Sequence, residues 1–67
     1  MQITYTPHHD LLYIRFDERQ QSLRNERVNE DMVLDIGDDD RIVGIEILDA
    51  SEHIRLESIL PVKIEAA

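Results

Sequence analysis

The chain has 67 residues, no cysteine, and a formal net charge of −8 at neutral pH. A chain of this length forms one domain with a small core, and without cysteine no disulfide can stabilise it. We therefore expect a single domain over residues 1–67 that gains stability from a homodimer or from a dedicated protein partner. The negative charge repels phosphate backbones and anionic lipid, so direct contact with nucleic acid or with a membrane is not expected.

The charge is distributed unevenly along the chain. Acidic and basic side chains balance over residues 1–27, so the whole negative excess follows residue 27. An acidic surface of this kind suits a basic protein partner, or it serves only to keep a small domain soluble. The N-terminus shows no basic segment followed by an apolar run, and no apolar stretch is long enough to cross a bilayer. We expect a cytoplasmic protein.

Two strands are predicted near the N-terminus, and their short connection favours a hairpin. Ile3 and Tyr5 alternate with polar residues, and Pro7 ends this first strand within a polar turn. The second strand has the clearest alternation in this half of the chain, with one face carrying Leu12, Ile14 and Phe16 and the other carrying Tyr13 and Arg15.

Residues 22–28 form a weaker candidate strand, with Leu23 and Val28 as its few apolar side chains. The neighbouring Arg19, Arg24 and Arg27 form a small basic patch in an acidic chain. This patch is either a solvated edge that prevents pairing of strands between molecules, or a surface that pairs with the acidic turn of a second subunit.

A second hairpin is predicted between residues 32–36 and residues 41–48. With Asp39 and Asp40 as the central turn residues, every inward side chain meets another inward side chain. A slip of one residue would break all of these pairs at once. The predicted pairs are Ile36 with Val43, Leu34 with Ile45, and Met32 with Ile47.

A short helix is predicted to follow this hairpin. Asp49 or Ser51 can cap it, and Glu52 lies at capping-box spacing from Asp49. Its buried stripe would comprise Leu56, Ile59 and Leu60, with Pro61 as its end. Val62 and Ile64 alternate in a tail that is either a last strand or a frayed end. We therefore expect a mainly-β (α+β) fold, a four-stranded antiparallel meander with one short C-terminal helix, the helix and tail occupying residues 52–67.

The chain resembles the small bacterial family 2283 of the domain-of-unknown-function series over residues 2–51. The resemblance rests on four segments, residues 3–7, 10–16, 33–36 and 41–51. The family usually has a glycine before the residue that matches Arg41, where this chain has Asp40; either Asp40 or Gly37 must then supply the tight turn geometry. The resemblance implies no established activity and no catalytic residues, and it suggests an antitoxin-like role beside a small toxin.

Three groups of polar residues are candidates for chemistry. Residues 35–46 have some of the spacing of a calcium-binding loop, but their flanks are strands, so a solvated turn is favoured. His8, His9 and Asp10 could bind a metal, although neighbouring side chains on extended backbone diverge. Asp35 and Glu46 should share the outward face of neighbouring strands beside Gly44, whose missing side chain leaves space for a ligand, a partner or the helix.

The sequence therefore predicts a protein-interaction module rather than an enzyme, and no cofactor or metal is expected. The second sheet face is apolar enough to need cover from the helix or from a partner. The predicted partner-binding residues are Asp38, Asp39, Asp40, Tyr13, Ile42 and Leu48. The partner would be a second copy or a small basic protein, neutralised in the antitoxin-like version of the hypothesis. The alternative is a ligand- or cation-binding domain that uses Asp35, Gly44 and Glu46.

Overall fold

The structure, a computed structural model, describes residues 1–59 and 63–64. Five strands form one antiparallel sheet, a two-residue strand adds to one edge in parallel, and a short helix follows the fifth strand. The elements are β1 Gln2–Thr6, β2 Leu11–Arg15, β3 Arg24–Arg27, β4 Met32–Ile36, β5 Ile42–Ile47, α1 Ala50–His53 and β6 Lys63–Ile64. The predicted mainly antiparallel fold with one short helix is confirmed.

The order of the strands in the sheet is β3-β4-β5-β2-β1-β6, so the expectation of four strands in a meander is wrong. The weak candidate strand is present as β3, and β2 pairs with β5 instead of with β3. Burial explains this order. Leu12 in β2 and Ile47 in β5 face each other with exposed fractions of 0% and 5%, whereas every residue of β3 is exposed. A polar strand is most stable at an edge, so the apolar β2 and β5 lie at the centre.

The hairpin of β4 and β5 contains a β-bulge that the sequence did not predict. Ile36 lies opposite Ile42 instead of Val43, because Val43 is an extra residue in β5. The carbonyl oxygen of Val43 accepts the N–H groups of Phe16 at 2.7 Å and of Asp17 at 3.3 Å, which ties the chain leaving β2 to the bulge. The other two predicted pairs are confirmed, Leu34 with Ile45 and Met32 with Ile47.

The turn of this hairpin is a three-residue loop instead of the predicted two-residue turn. The N–H of Asp40 donates to the carbonyl of Gly37 at 3.1 Å, and the N–H of Gly37 donates to the carbonyl of Arg41 at 2.9 Å. Asp40 has a φ of 62°, and no glycine in the described residues has a positive φ. Asp40, and not Gly37, therefore supplies the left-handed conformation, which aspartate tolerates better than most residues.

The predicted C-terminal helix is interrupted. The α-helix ends at His53, Ile54 is extended with a φ of −134°, and a 3₁₀ turn follows at Leu56–Ile59. Capping by Asp49 is also wrong, because Asp49 has a φ of 50° and its side chain makes no capping hydrogen bond. Leu60, Pro61 and Val62 lie outside the described residues.

The helix and the 3₁₀ turn cover only one of the two faces of the sheet. Leu12, Ile47 and Ala50 form the buried cluster on this face, and Leu56 and Ile59 pack against it. We call this the helix face. Side chains alternate between the faces along each strand, so the opposite face carries Tyr13, Val33, Asp35, Gly44 and Glu46. The expectation that Leu56 and Ile59 could cover that opposite face is therefore wrong.

Candidate functional site

Tyr13 fills the space above Gly44, where the sequence left room for a ligand, a partner or the helix. Asp35 and Arg15 both lie opposite Gly44 in the neighbouring strands, so the predicted grouping of Asp35 and Gly44 on one face is observed. The phenol of Tyr13 crosses Gly44 and donates a hydrogen bond to Oδ2 of Asp35 at 2.8 Å. A Cβ atom at Gly44 would lie 2.8 Å from Cζ of Tyr13, so glycine is required for this crossing.

The contact between Tyr13 and Asp35 is internal to the fold. Asp35 is only 7% exposed, and the Tyr13 hydroxyl is its hydrogen-bond partner. Burial, with the hydrogen bond to Asp35, raises the pKa of Tyr13 to about 12. In the described residues no cluster of three or more His, Asp or Glu side chains has a geometry that could hold a metal ion. Tyr13 thus contacts two of the three residues predicted to bind a ligand, Asp35 and Gly44, and the third, Glu46, is half-buried.

The acidic turn, formed by Asp38, Asp39 and Asp40, is exposed and partly paired with arginine. Oδ1 of Asp40 lies 2.6 Å from Nη1 of Arg24, and Oδ2 of Asp39 lies 3.4 Å from Nε of Arg41. The hydrogen bond from Arg24 to Asp40, together with the negative charge of Asp40, raises the pKa of Arg24 above its usual value. Within residues 1–59 and 63–64, the carboxylate of Asp38 has no ion-pair partner.

Two open clefts meet at Asp38. The segment between β2 and β3 passes beside the acidic turn, where Oε1 of Gln21 accepts the backbone N–H of Asp38 at 3.1 Å. One cleft is lined by Arg19, Gln20, Gln21, Asp38 and Asp39. The other is lined by Ser22, Leu23, Arg24, Ile36, Gly37 and Asp38. The acidic turn therefore lies between two concave surfaces with polar and apolar walls.

Exposed apolar side chains lie near the acidic turn. Phe16 and Ile42 are each 47% exposed, and they flank the bulge at Val43. Phe16 was expected to point inward, and by alternation it does lie on the helix face, but α1 and the 3₁₀ turn pack at the other end of that face. Among the other predicted partner-binding residues, the hydroxyl of Tyr13 is engaged by Asp35, and Leu48 is half-buried.

Asp10 is the centre of a second polar cluster, which the sequence did not reveal. Asp10 has a φ of 49°, and its backbone carbonyl accepts the N–H of Ala50 at 3.0 Å. Its carboxylate accepts hydrogen bonds from the Tyr5 hydroxyl at 2.7 Å, from the Ser51 hydroxyl at 2.6 Å and from the Ser51 N–H at 3.1 Å. These donors lower the pKa of Asp10 below its usual range, with the Ser51 hydroxyl as the largest cause. Asp10 thus caps α1 from a distant turn.

The histidines form no site with Asp10. The rings of His8 and His9 contact each other edge to face, with centroids 4.9 Å apart, and both residues are exposed. His53 lies 2.8 Å from Oδ2 of Asp31 on the surface. In the described part of the chain, no helix has the length and apolar character that crossing a membrane requires.

Comparison with known proteins agrees with the resemblance seen in the sequence. The model of the family described as "Protein of unknown function (DUF2283)" matches residues 2–51. The chain belongs to the DUF2283 family. No curated protein and no solved structure matched the chain in the other two comparisons.

Within this DUF2283 chain, the segments that carry the family resemblance contribute mainly to the architecture. Asp10 and Ser51 join the turn after β1 to the start of α1, and Tyr13 and Asp35 join β2 to β4 across Gly44. Each contact links two of those segments. The polar residues of these segments therefore explain how the fold is held together, while the acidic turn and its apolar neighbours remain exposed.

Proposed function

We propose that this DUF2283 protein is a protein-interaction module that binds a small basic protein through the acidic turn and the apolar side chains beside it. One juxtaposition supports the proposal: Phe16 and Ile42 are exposed at the same end of the sheet as Asp38, Asp39 and Asp40. Protein-binding surfaces commonly combine an apolar centre with a charged rim. The apolar pair supplies the buried area, and the carboxylates select the partner by charge.

The charge of the turn sets the chemistry of the partner. Arg24 and Arg41 pair with two of the three carboxylates, while Asp38 faces the two clefts. A lysine or arginine of a partner would meet Asp38 with little desolvation, and the acidic excess after residue 27 would accelerate its approach. The antitoxin-like version of this proposal, which the family resemblance suggested, makes the partner a small basic toxin held inactive by the bound module.

The proposal assigns binding and not catalysis to this surface. Asp10 and Asp35 accept hydrogen bonds from tyrosine and serine of the same chain. These hydrogen bonds join distant segments of the chain, which supports a structural role for both carboxylates. The proposal also takes the cytoplasm as the compartment, since a chain without cysteine has no need of an oxidising environment.

Affinity purification of the tagged protein from its own cells tests the proposal. The acidic-turn variant changes Asp38, Asp39 and Asp40 to asparagine, and the control changes Glu18, Glu30 and Glu52 to glutamine. Each variant removes three of the negative charges, so the net charge of −8 becomes −5 in both. Asparagine also suits the positive φ of residue 40.

We expect a stoichiometric small basic protein with the wild type and the control, and its loss with the acidic-turn variant. Equal recovery with both variants would show that the interaction depends on net charge or on another surface. Recovery of no basic protein with the wild type would also contradict the proposal.

A further inference from the structure

Among residues 1–59 and 63–64, strand β3 has one edge that pairs with no other strand. It is the outermost strand on its side, and all four of its residues are exposed. Within residues 1–59 and 63–64, β4 is its only neighbouring strand. A free edge of this kind is a template for another strand, and proteins usually block it with charge. The sequence of β3, Arg24-Asn25-Glu26-Arg27, is accordingly polar.

The pairing of β3 with β4 determines which backbone groups point outward. The N–H of Val28 donates to the carbonyl of Met32 at 2.8 Å, at the end of the same ladder. Hydrogen-bonded and non-hydrogen-bonded pairs alternate in an antiparallel ladder, so Arg24 and Glu26 also direct their backbone groups to β4. The outward N–H and C=O groups are those of the other two residues, Asn25 and Arg27.

A second copy of the chain can pair its own β3 with this edge around a two-fold axis. In an antiparallel ladder, residues whose N–H and C=O groups point towards the neighbouring strand lie opposite one another. A two-fold axis between two copies of β3 therefore passes beside one residue, which lies opposite its own copy and is the centre of the register. Three of the four centres place a charge directly opposite its own copy, namely Arg24, Glu26 or Arg27. Like charges directly opposite are destabilising. Of these four centres, only Asn25 avoids placing a charged residue directly opposite its own copy.

We propose that the protein forms a homodimer by antiparallel pairing of β3 with β3 of a second copy, centred on Asn25. In this register Arg24 lies opposite Glu26 of the partner subunit, and the two-fold axis produces this oppositely charged pair twice. Arg24 and Glu26 lie on the same face of β3, as cross-strand pairs require. The two sheets then form one continuous sheet across the interface.

The charges around β3 are compatible with this dimer. Acidic and basic residues balance over residues 1–27, so the edge lies in the neutral part of a chain that is otherwise acidic. Nη1 of Arg24 donates to Asp40 at 2.6 Å, while Nη2 lies 3.9 Å from Glu26 of the same chain. The second nitrogen is thus available for Glu26 of the partner subunit. The dimer does not rest on the proposed binding of a basic partner, because it is argued from the free edge and the charge pattern of β3, although Arg24 also lines one of the clefts at Asp38.

Charge reversal tests the register by sedimentation of the full chain at several concentrations. The wild type should dimerise. Glu26→Arg alone should weaken the dimer about 30-fold, because both pairs become repulsive, and the double variant Arg24→Glu/Glu26→Arg should restore it. A mixture of the single variants Arg24→Glu and Glu26→Arg should form a heterodimer that neither forms alone. A wild type that stays monomeric at every concentration, or a double variant no better than Glu26→Arg, would overturn the proposal.

Disulfide formation locates the two-fold axis independently, because the chain has no cysteine of its own. In the proposed register, residue 25 faces its copy with a Cα separation of about 5.5 Å, within the range of disulfides, so the variant Asn25→Cys can crosslink. The control Arg27→Cys lies on the same face but about 14 Å along the strands from its copy. We expect Asn25→Cys to crosslink rapidly on oxidation and Arg27→Cys to crosslink slowly. Equal rates, or faster crosslinking of Arg27→Cys, would overturn the register and with it the proposal.

Discussion

The two ends of the sheet differ in what their side chains contact. At the helix end, Leu12 and Ile47 of the sheet and Ala50 of α1 are 0–5% exposed, and Asp10 accepts hydrogen bonds at the start of the helix. At the turn end, Phe16 and Ile42 remain 47% exposed beside the acidic turn. The family-like segments build both ends, and both ends contain buried side chains, with Val43 only 1% exposed beside the turn. The ends differ in that α1 and the 3₁₀ turn pack over the helix end, whereas Phe16 and Ile42 stay half exposed. This exposed apolar pair is the reason for which the proposed partner is assigned to the turn end.

The largest expected difference between the two ends is in stability. Leu12 is fully buried, so Leu12→Ala should lower the free energy of unfolding by about 2–5 kcal/mol through lost contacts and a cavity. Phe16→Ala at the turn end should cost less than about 1 kcal/mol, because the side chain is already half in water. Urea unfolding of both variants below the dimerisation concentration measures the difference. Similar losses would mean that the side chain of Phe16 is packed in solution.

A smaller loss of stability is expected from a substitution at Gly44, which Tyr13 crosses. Gly44→Ala places a methyl group 2.8 Å from Cζ of Tyr13, so we expect a loss of about 1–3 kcal/mol and a displaced phenol ring. The matched control is Gly44→Ala combined with Tyr13→Ala, in which the added methyl meets no ring. In that background the same substitution should cost clearly less, as a double-mutant cycle would measure. An equal cost in both backgrounds would contradict the role assigned to this glycine.

The sequence was sufficient to predict those contacts that depend on neighbouring positions along one strand or across one short turn. Alternation in β4 and β5 was enough to place Leu34 opposite Ile45, because a slip would expose every apolar side chain. The bulge escaped prediction because Ile42 and Val43 are both apolar, and either could face Ile36. The positive φ of Asp40 was one of two alternatives, and only the structure decided between them.

Contacts between distant segments could not be predicted in the same way. Local capping rules predicted that Asp49 or Ser51 caps the helix. The carboxylate that accepts hydrogen bonds from Ser51 at the start of the helix belongs to Asp10, which precedes Ser51 by 41 positions. The grouping of Asp35 with Gly44 followed from alternation. To predict that Tyr13 fills the space above Gly44, it would have been necessary to know that β2 pairs with β5. That pairing depends on which strands are buried most, which no single segment reveals.

The smallest effect distinguishes two hydrogen bonds of the same kind, one towards each end of the sheet. Tyr5 donates to Asp10 at 2.7 Å at the helix end, and Tyr13 donates to Asp35 at 2.8 Å nearer the turn end. The hydrogen bond to Asp10 is the main cause that raises the pKa of Tyr5, whereas burial is the main cause that raises the pKa of Tyr13 to about 12. Both tyrosines should therefore resist ionisation above their ordinary pKa of 10.0.

Near-ultraviolet absorbance titration of Tyr5→Phe isolates Tyr13, and we expect an apparent pKa of about 12. Because the folded-state pKa is raised, the contribution of Tyr13 to stability is complete below pH 10 and is lost as the pH rises from 10 through 12. Tyr13→Phe should remove this loss of stability at alkaline pH, and its absorbance titration should show only Tyr5. An ordinary pKa for Tyr13 in the folded protein would mean that the phenol is not held against Asp35, and the gap above Gly44 would again be open to a ligand.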